Sequence, residues 1–202
     1  MKSKLVVVDY GVCNYKSIIN MAQKIGYTIK KTEKKEDLLS ADKIILPGVG
    51  AYDHGVTKLM ELDYFEPLKD AAAKGTPILG ICLGMQLLGR SSQEGELDGL
   101  DLLDFNCQKF QSNSDIRIPH VGWNYILPKK KTKLLGDLGF YKFYFTHSYH
   151  AVVSNNSIIA ATCKYDYEFP CILEYQNIFG VQFHPEKSHK FGYDLLNNFL
   201  AL

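Results

Sequence analysis

Short, wholly apolar runs alternate with longer stretches of helical periodicity through the first half of this 202-residue chain. Residues 5–8 read as a strand. Between 15 and 25, Ile18, Ile19, Ala22 and Ile25 recur at helical spacing and mark one buried face. Further strands are expected at 27–31, at 44–46 and in the run that ends at Cys82, with helices at 36–39, 54–60 and 65–74 and a helix-like stretch directly after Cys82. This alternation predicts an α/β fold with a mostly parallel central sheet flanked by helices. Beyond Cys107 the helical pattern gives way to segments rich in Tyr, Phe and Val at 108–110, 123–126, 141–146, 151–153, 158–162 and 172–175. They read as an antiparallel β insertion covering one side of the sheet. A strand from Phe179 toward His184 and a helix over 191–200 complete the expected order.

Composition narrows the class without naming a function. A hydrophobic content of 46% and a charged content of 22% are ordinary for a globular protein, and the length suits one domain over residues 1–202. A formal net charge of +1 gives no reason to expect nucleic acid or a membrane surface as partner. The Lys129–Lys133 cluster reads as a solvated turn between strands. No apolar run reaches the roughly 18 residues of a membrane span, and the start leads directly into a strand rather than a secretory leader. The five cysteines are widely spaced and contain no C-x-x-C pair. That spacing argues against a disulfide framework or a zinc site and points to a reducing cytoplasm.

Three segments carry chemistry. In Gly80-Ile81-Cys82-Leu83-Gly84 an apolar strand turns abruptly into a helix, the cysteine counterpart of the G-x-S-x-G nucleophile elbow. The residue at such a bend exposes its side chain at a helix N-terminus, a setting that favours nucleophilic sulfur. In Phe183-His184-Pro185-Glu186, Pro185 cannot donate to a sheet ladder, so the strand should end there with His184 at its tip. Glu186 can turn back onto the imidazole, fix its tautomer and stabilise its charge. Cys82, His184 and Glu186 thus read as nucleophile, base and orienter. In Pro47-Gly48-Val49-Gly50 an apolar strand runs into a glycine-rich loop whose backbone can approach a ligand closely. The N–H groups of Val49 and of Leu83, the residue after the nucleophile, are the candidate oxyanion hole.

These segments, in this order, resemble the triad-type (class I) glutamine amidotransferases. With Asp9-Tyr10-Gly11, Pro119-His120-Val121-Gly122-Trp123-Asn124 and His147-Ser148-Tyr149, the resemblance narrows to the glutaminase subunits of imidazole glycerol phosphate synthases. It extends over nearly the whole chain and implies a flavodoxin-like fold and hydrolysis of L-glutamine without metal or organic cofactor. It implies glutamine contacts from Gln86, the Gly50 backbone and His147, Ser148 and Tyr149. It also implies a (β/α)-barrel cyclase as partner, faced by Tyr10, Cys13, Asn14, Pro119, His120, Trp123, Asn124 and Lys187. Cys13 departs from the family, which usually carries a small residue there, most often Gly. That departure leaves room for a paralogous glutaminase feeding another synthase, such as a surface-sugar amidating enzyme. A catalytically silent subunit fits poorly with an intact triad, and a general ester or peptide hydrolase fits poorly with Gln86 and His147-Ser148-Tyr149.

Overall fold

The computed structural model of the chain describes residues 3–111, 116–136 and 140–202. The first half runs β1 (Leu5–Val7), α1 (Tyr15–Lys24), β2 (Ile29–Lys31), α2 (Lys35–Leu39), β3 (Lys43–Gly48), α3 (Tyr52–Glu61), α4 (Phe65–Ala73), β4 (Ile78–Cys82) and α5 (Leu83–Leu87). The second half is strand-rich: β5 (Ser91–Ser92), β6 (Phe105–Lys109), β7 (His120–Pro128), β8 (Tyr141–His147), β9 (Tyr149–Val153), β10 (Ile159–Tyr165), β11 (Tyr167–Tyr175) and β12 (Ile178–Val181). Helix α6 (His189–Leu200) follows a 3₁₀ turn at Pro185–Lys187. No helix among the described residues is long and apolar enough to cross a membrane.

Nine strands form one sheet in the order β2-β1-β3-β4-β12-β11-β10-β7-β8. β2, β1, β3, β4 and β12 run parallel, whereas β11, β10, β7 and β8 continue the sheet antiparallel. The antiparallel segment therefore mostly lengthens the sheet instead of covering one side of it. Among the described residues, a separate three-stranded sheet, β5-β6-β9, lies off the main one. β7 and β11 each run nine residues and both pair with β10, which lies between them and carries the sheet on edge to edge. β12, near the end of the chain, is inserted between β4 and β11.

β1, β3 and β4 are apolar along nearly their whole length because helices cover both faces. Alternate residues feed two cores. Leu5, Val7, Ile45, Leu79 and Ile81 pack with α1 and α6, whereas Val6, Val8, Ile44, Leu46 and Ile78 pack with α3, α4 and α5. On α1 the buried positions are Ile18, Met21 and Ala22. Ile19 and Ile25, expected on that face, lie at its partly buried margin.

The turn from β4 into α5 is closely packed. Cys82 has φ +53° and ψ −110°, a conformation rare for a residue with a side chain. A Cβ on Gly84 would collide with the Leu46 carbonyl oxygen, so α5 can lie against β3 only with glycine there. Gly84→Ala should therefore lower the unfolding free energy by about 2 kcal/mol or more. Gly136→Ala, in open space, should change it by less than about 0.5 kcal/mol. Urea titration of the two variants checks this, and equal midpoints would refute it.

Candidate active site

Strand register brings the predicted triad together. Gly48 pairs with Cys82 across β3 and β4, and Val181 pairs with Ile81 across β12 and β4, so Gln182 follows level with Cys82. All three lie at the C-terminal ends of parallel strands, where open α/β sheets place their sites. β12 stops at Val181, earlier than the expected strand end at His184, because the chain changes partner. The Gln182 N–H donates to the Cys171 carbonyl at 3.0 Å, but the His184 N–H donates to Tyr144 of β8 at 2.9 Å. This crossing aims the His184 ring at the elbow.

His184 Nδ1 and Glu186 Oε1 are 2.8 Å apart, and both side chains are almost wholly buried. The carboxylate can only accept, so Nδ1 carries the hydrogen and Nε2 is left for proton transfer. Nε2 is buried and makes no hydrogen bond of ordinary geometry. Burial alone would depress this imidazole. The facing Cys82 sulfur and then Glu186 outweigh burial and push it up to about 10. His184 is thus poised to hold a proton beside the sulfur and deliver it to a leaving group. Cys82 is only 7% exposed and is reached through the cleft, a deeper setting than an elbow alone suggests. Its Sγ lies 3.9 Å from the Thr146 carbonyl and 3.9 Å from Gln182 Nε2.

The cleft, about 340 Å³, is lined by Val49, Gly50, Cys82, Leu83, Gln86, Glu94, Pro119, Thr146, His147, Ser148, Tyr149 and His184. It thus gathers the whole expected substrate set, though not every member can act as expected. Both ring nitrogens of His147 are occupied, Nδ1 by the Tyr149 carbonyl at 2.8 Å and Nε2 by His120 Nδ1 at 3.0 Å. His147 therefore has no ring nitrogen to offer a ligand. Leu83 opens α5, whose first N–H groups have no partner within the helix. The Val49 N–H is engaged: it donates to the Val12 carbonyl at 2.9 Å.

The expected partner-facing set divides. Asn14, Pro119, Trp123 and Lys187 are exposed, and Cys13 and Asn124 are half-buried. Trp123 stacks on His189 and meets Tyr144 edge-on at 6.2 Å, while Lys187 Nζ lies 5.8 Å from the Tyr144 ring. Tyr10 and His120 are buried and contradict the expectation of a docking surface. Tyr10 fills the core beside Gly48. The His120 ring is stacked between Phe145 and Tyr165, because the β7 alternation that turns Val121 and Trp123 outward turns His120 inward.

Sequence reasoning missed Gln182, Thr146 and Glu94. Gln182 had a signal, since it stands two residues before His184 in an extended segment and so on the same side. Thr146 acts through its carbonyl, which no side-chain motif marks. Glu94 arrives from the turn after β5; its Oε2 accepts the Tyr52 N–H at 3.0 Å. Burial raises its carboxyl, against the lowering effect of that bond.

The sequence profile of the family described as glutamine amidotransferase class-I matches residues 6–202. The chain belongs to this family. It is similar to "Imidazole glycerol phosphate synthase subunit HisH 2" of Methanococcus maripaludis, 45% identical over 97% of this chain and 98% of the relative. The similarly named protein of Pseudomonas aeruginosa is 40% identical over 98% and 99%. In Arabidopsis thaliana, "Imidazole glycerol phosphate synthase hisHF, chloroplastic" is 39% identical over 98% of this chain but 34% of its own length. Among solved structures, one titled "Structure of PurLQS from Thermotoga maritima" superposes with a TM-score of 0.76 at 19% identity, covering 100% of this chain and 99% of that one. At that identity it speaks for the fold of the family alone.

Two measurements follow from the site. A glutamine-mimicking electrophile should alkylate Cys82 before any other thiol. Burial pushes Cys13 up to about 11 and Cys163 to about 12, and it raises Cys107 and Cys171 strongly as well. Peptide mapping decides, and preferential labelling of Cys107, Cys163 or Cys171 would refute the assignment. The second concerns acid. Burial holds His120 at about 4 and His147 at about 3, against an ordinary 6.5. Below pH 6.5 the unfolded chain takes up these protons first, so the contribution of these two rings is full above 6.5 and falls as pH drops toward 3. The raised His184 acts in the opposite sense, but only above about pH 6. Urea midpoints should therefore decrease from about pH 6 to 5; a flat profile there would contradict neutral buried rings.

Proposed function

We propose that this chain is the glutaminase subunit of imidazole glycerol phosphate synthase. It hydrolyses L-glutamine to L-glutamate and ammonia, and the ammonia passes to a cyclase subunit in histidine biosynthesis. The observation that carries the reading is the buried Cys82–His184–Glu186 constellation at the floor of a cleft lined by Gln86, Ser148 and Tyr149. The near-full-length likeness to relatives bearing that name supports it over a paralogous synthase, for which Cys13 is the one sequence departure. We read residues 1–202 as one cytoplasmic domain.

In this reading the Cys82 sulfur attacks the side-chain amide carbon of glutamine, and His184 gives its proton to the departing ammonia. A glutamyl thioester remains. His184 then takes a proton from water as it attacks the thioester, and glutamate leaves with the sulfur restored. Glu186 holds the ring and balances its positive charge in both steps. The Glu94 carboxylate is placed to receive the α-ammonium group, and Gln86, Ser148, Tyr149 and the Gly50 backbone frame the rest. The oxyanion needs two N–H donors, from Leu83 and Val49. In the free chain the Val49 N–H is held by Val12, so that bond must break before the hole is complete. Loss of one such donor costs about 3 kcal/mol of barrier, which makes the isolated subunit slow.

The partner is a (β/α)-barrel cyclase docking on the exposed Asn14, Pro119, Trp123 and Lys187, with Trp123 as the anchor. Its binding, with its ribonucleotide substrate, favours the arrangement that frees the Val49 N–H. That preference is the coupling free energy between the two sites.

Glutamate release should be slow for the chain alone and rise about a hundredfold with the cognate cyclase and its ligand, the worth of one restored donor. His184→Ala should abolish turnover under both conditions, whereas Glu186→Gln should leave it reduced but measurable. Trp123→Ala should raise the cyclase concentration needed for half-activation without altering the urea midpoint. Near-normal turnover by His184→Ala, or failure of the cognate cyclase to bind, would overturn the reading.

A further inference from the structure

A line of hydrogen bonds joins the half-buried Asn124 to the nucleophile, and its direction is fixed at every step. The Tyr149 carbonyl can only accept, so the hydrogen of His147 sits on Nδ1, 2.8 Å away. The lone pair of a neutral His147 is then on Nε2, which accepts from His120 Nδ1–H at 3.0 Å. His120 Nε2 accepts in turn from Asn124 Nδ2 at 3.4 Å. Asn124 cannot flip. Its Nδ2 also donates to the Lys164 carbonyl at 3.0 Å, and its oxygen accepts the Tyr125 N–H at 2.9 Å. Burial keeps both rings neutral near pH 7.

The same Tyr149 carbonyl accepts from Gln86 Nε2 at 3.2 Å. Gln86 Nε2 also donates to Gln182 Oε1 at 3.3 Å. With its oxygen committed, the Gln182 amide can present only its nitrogen to Cys82 Sγ, 3.9 Å away. The reversed amide would set a carbonyl oxygen against the sulfur and oppose negative charge there.

We propose that His120 and Asn124 are positioning residues of the glutaminase reaction, reinforcing from the Nε2 side the Nδ1–H tautomer of His147 that the Tyr149 carbonyl favours, so that Tyr149, Gln86 and Gln182 keep an N–H directed at the Cys82 sulfur. The proposal rests on the glutaminase reading for its use but not for its geometry. The hydrogen-bonding geometry of His120, rather than its bulk, is what matters. Asn at position 120 keeps an amide N–H near the Nδ1 position and should preserve the line. Gln places its amide near the Nε2 position, and Phe supplies only the ring stacked between Phe145 and Tyr165; neither should preserve it.

Two readouts test this on the full chain. Long-range ¹⁵N–¹H correlation spectra of the wild type should show His120 and His147 as Nδ1–H tautomers, with His147 changed in His120→Phe and His120→Gln but kept in His120→Asn. Iodoacetamide alkylation of Cys82, followed against pH, should slow about tenfold at neutral pH in His120→Phe and His120→Gln, the equivalent of one lost hydrogen bond to a charged group. In those two variants the profile should also move toward higher pH. His120→Asn should stay within about twofold of wild type, a change well under one pH unit. An Nε2–H tautomer of His147 in the wild type overturns the proposal, as does equal alkylation by the Asn and Gln variants. If both readouts come out as expected but no cyclase elicits glutamate release, the glutaminase reading falls and the positioning line stands.

Discussion

Everything at the site depends on how closely α5 approaches β3. The strained backbone of Cys82 is tolerable only because the following turn is held against the Leu46 carbonyl, a contact that leaves no space for a side chain at position 84. Strain of this kind persists where surrounding structure over-determines it, and here the constraint is backbone against backbone on both sides. One contact sets the direction of the sulfur, the start of α5 and the level of Gly48 beside Cys82. Gln182 and His184 are then placed relative to that fixed point by β12 and by the switch of partner to β8.

The loop between β1 and α1 has a different part. Through the Val12 carbonyl it holds the N–H of Val49, and Val49 itself is 41% exposed. Cys82, His184 and Glu186 are thus assembled while the Val49 N–H, proposed as an oxyanion donor, is still engaged elsewhere. A rigid elbow beside a loop that can exchange one hydrogen bond for another is suited to control from outside, since the change requires no repacking of either core. Cys13 lies next to Val12, with its sulfur donating to the Val8 carbonyl at 3.4 Å. Cys13 therefore sits in the same loop that holds Val49.

Much of this was legible in the sequence, for physical reasons. The parallel half of the sheet announced itself because strands buried on both faces are short unbroken apolar runs. The triad was legible because an elbow cysteine and a His-Pro-Glu strand end are each dictated by local backbone chemistry. What the sequence hid depended on pairing at a distance. Nothing local says that β7, β8, β10 and β11 lengthen the main sheet, or that His184 takes its last backbone partner from Tyr144. His120 was misread for a related reason. Its motif looks like surface because Val121 and Trp123 are exposed, yet strand alternation alone turns His120 inward. Glu94 and the Val12–Val49 bond come from loops, where spacing carries no such signal.

The position of β12 has a further consequence. This strand, over residues 178–181, lies between β4 and β11, so the two parts of the sheet are joined only by residues that follow all its other strands in the chain. Cys82 and the loop around Val49 belong to the earlier half, while His184 and Glu186 follow β12 by only a few residues. A growing or truncated chain therefore carries an elbow cysteine with no base beside it and an open, unpaired strand edge. One stretch of chain thus both closes the sheet through its middle and brings His184 and Glu186 beside Cys82.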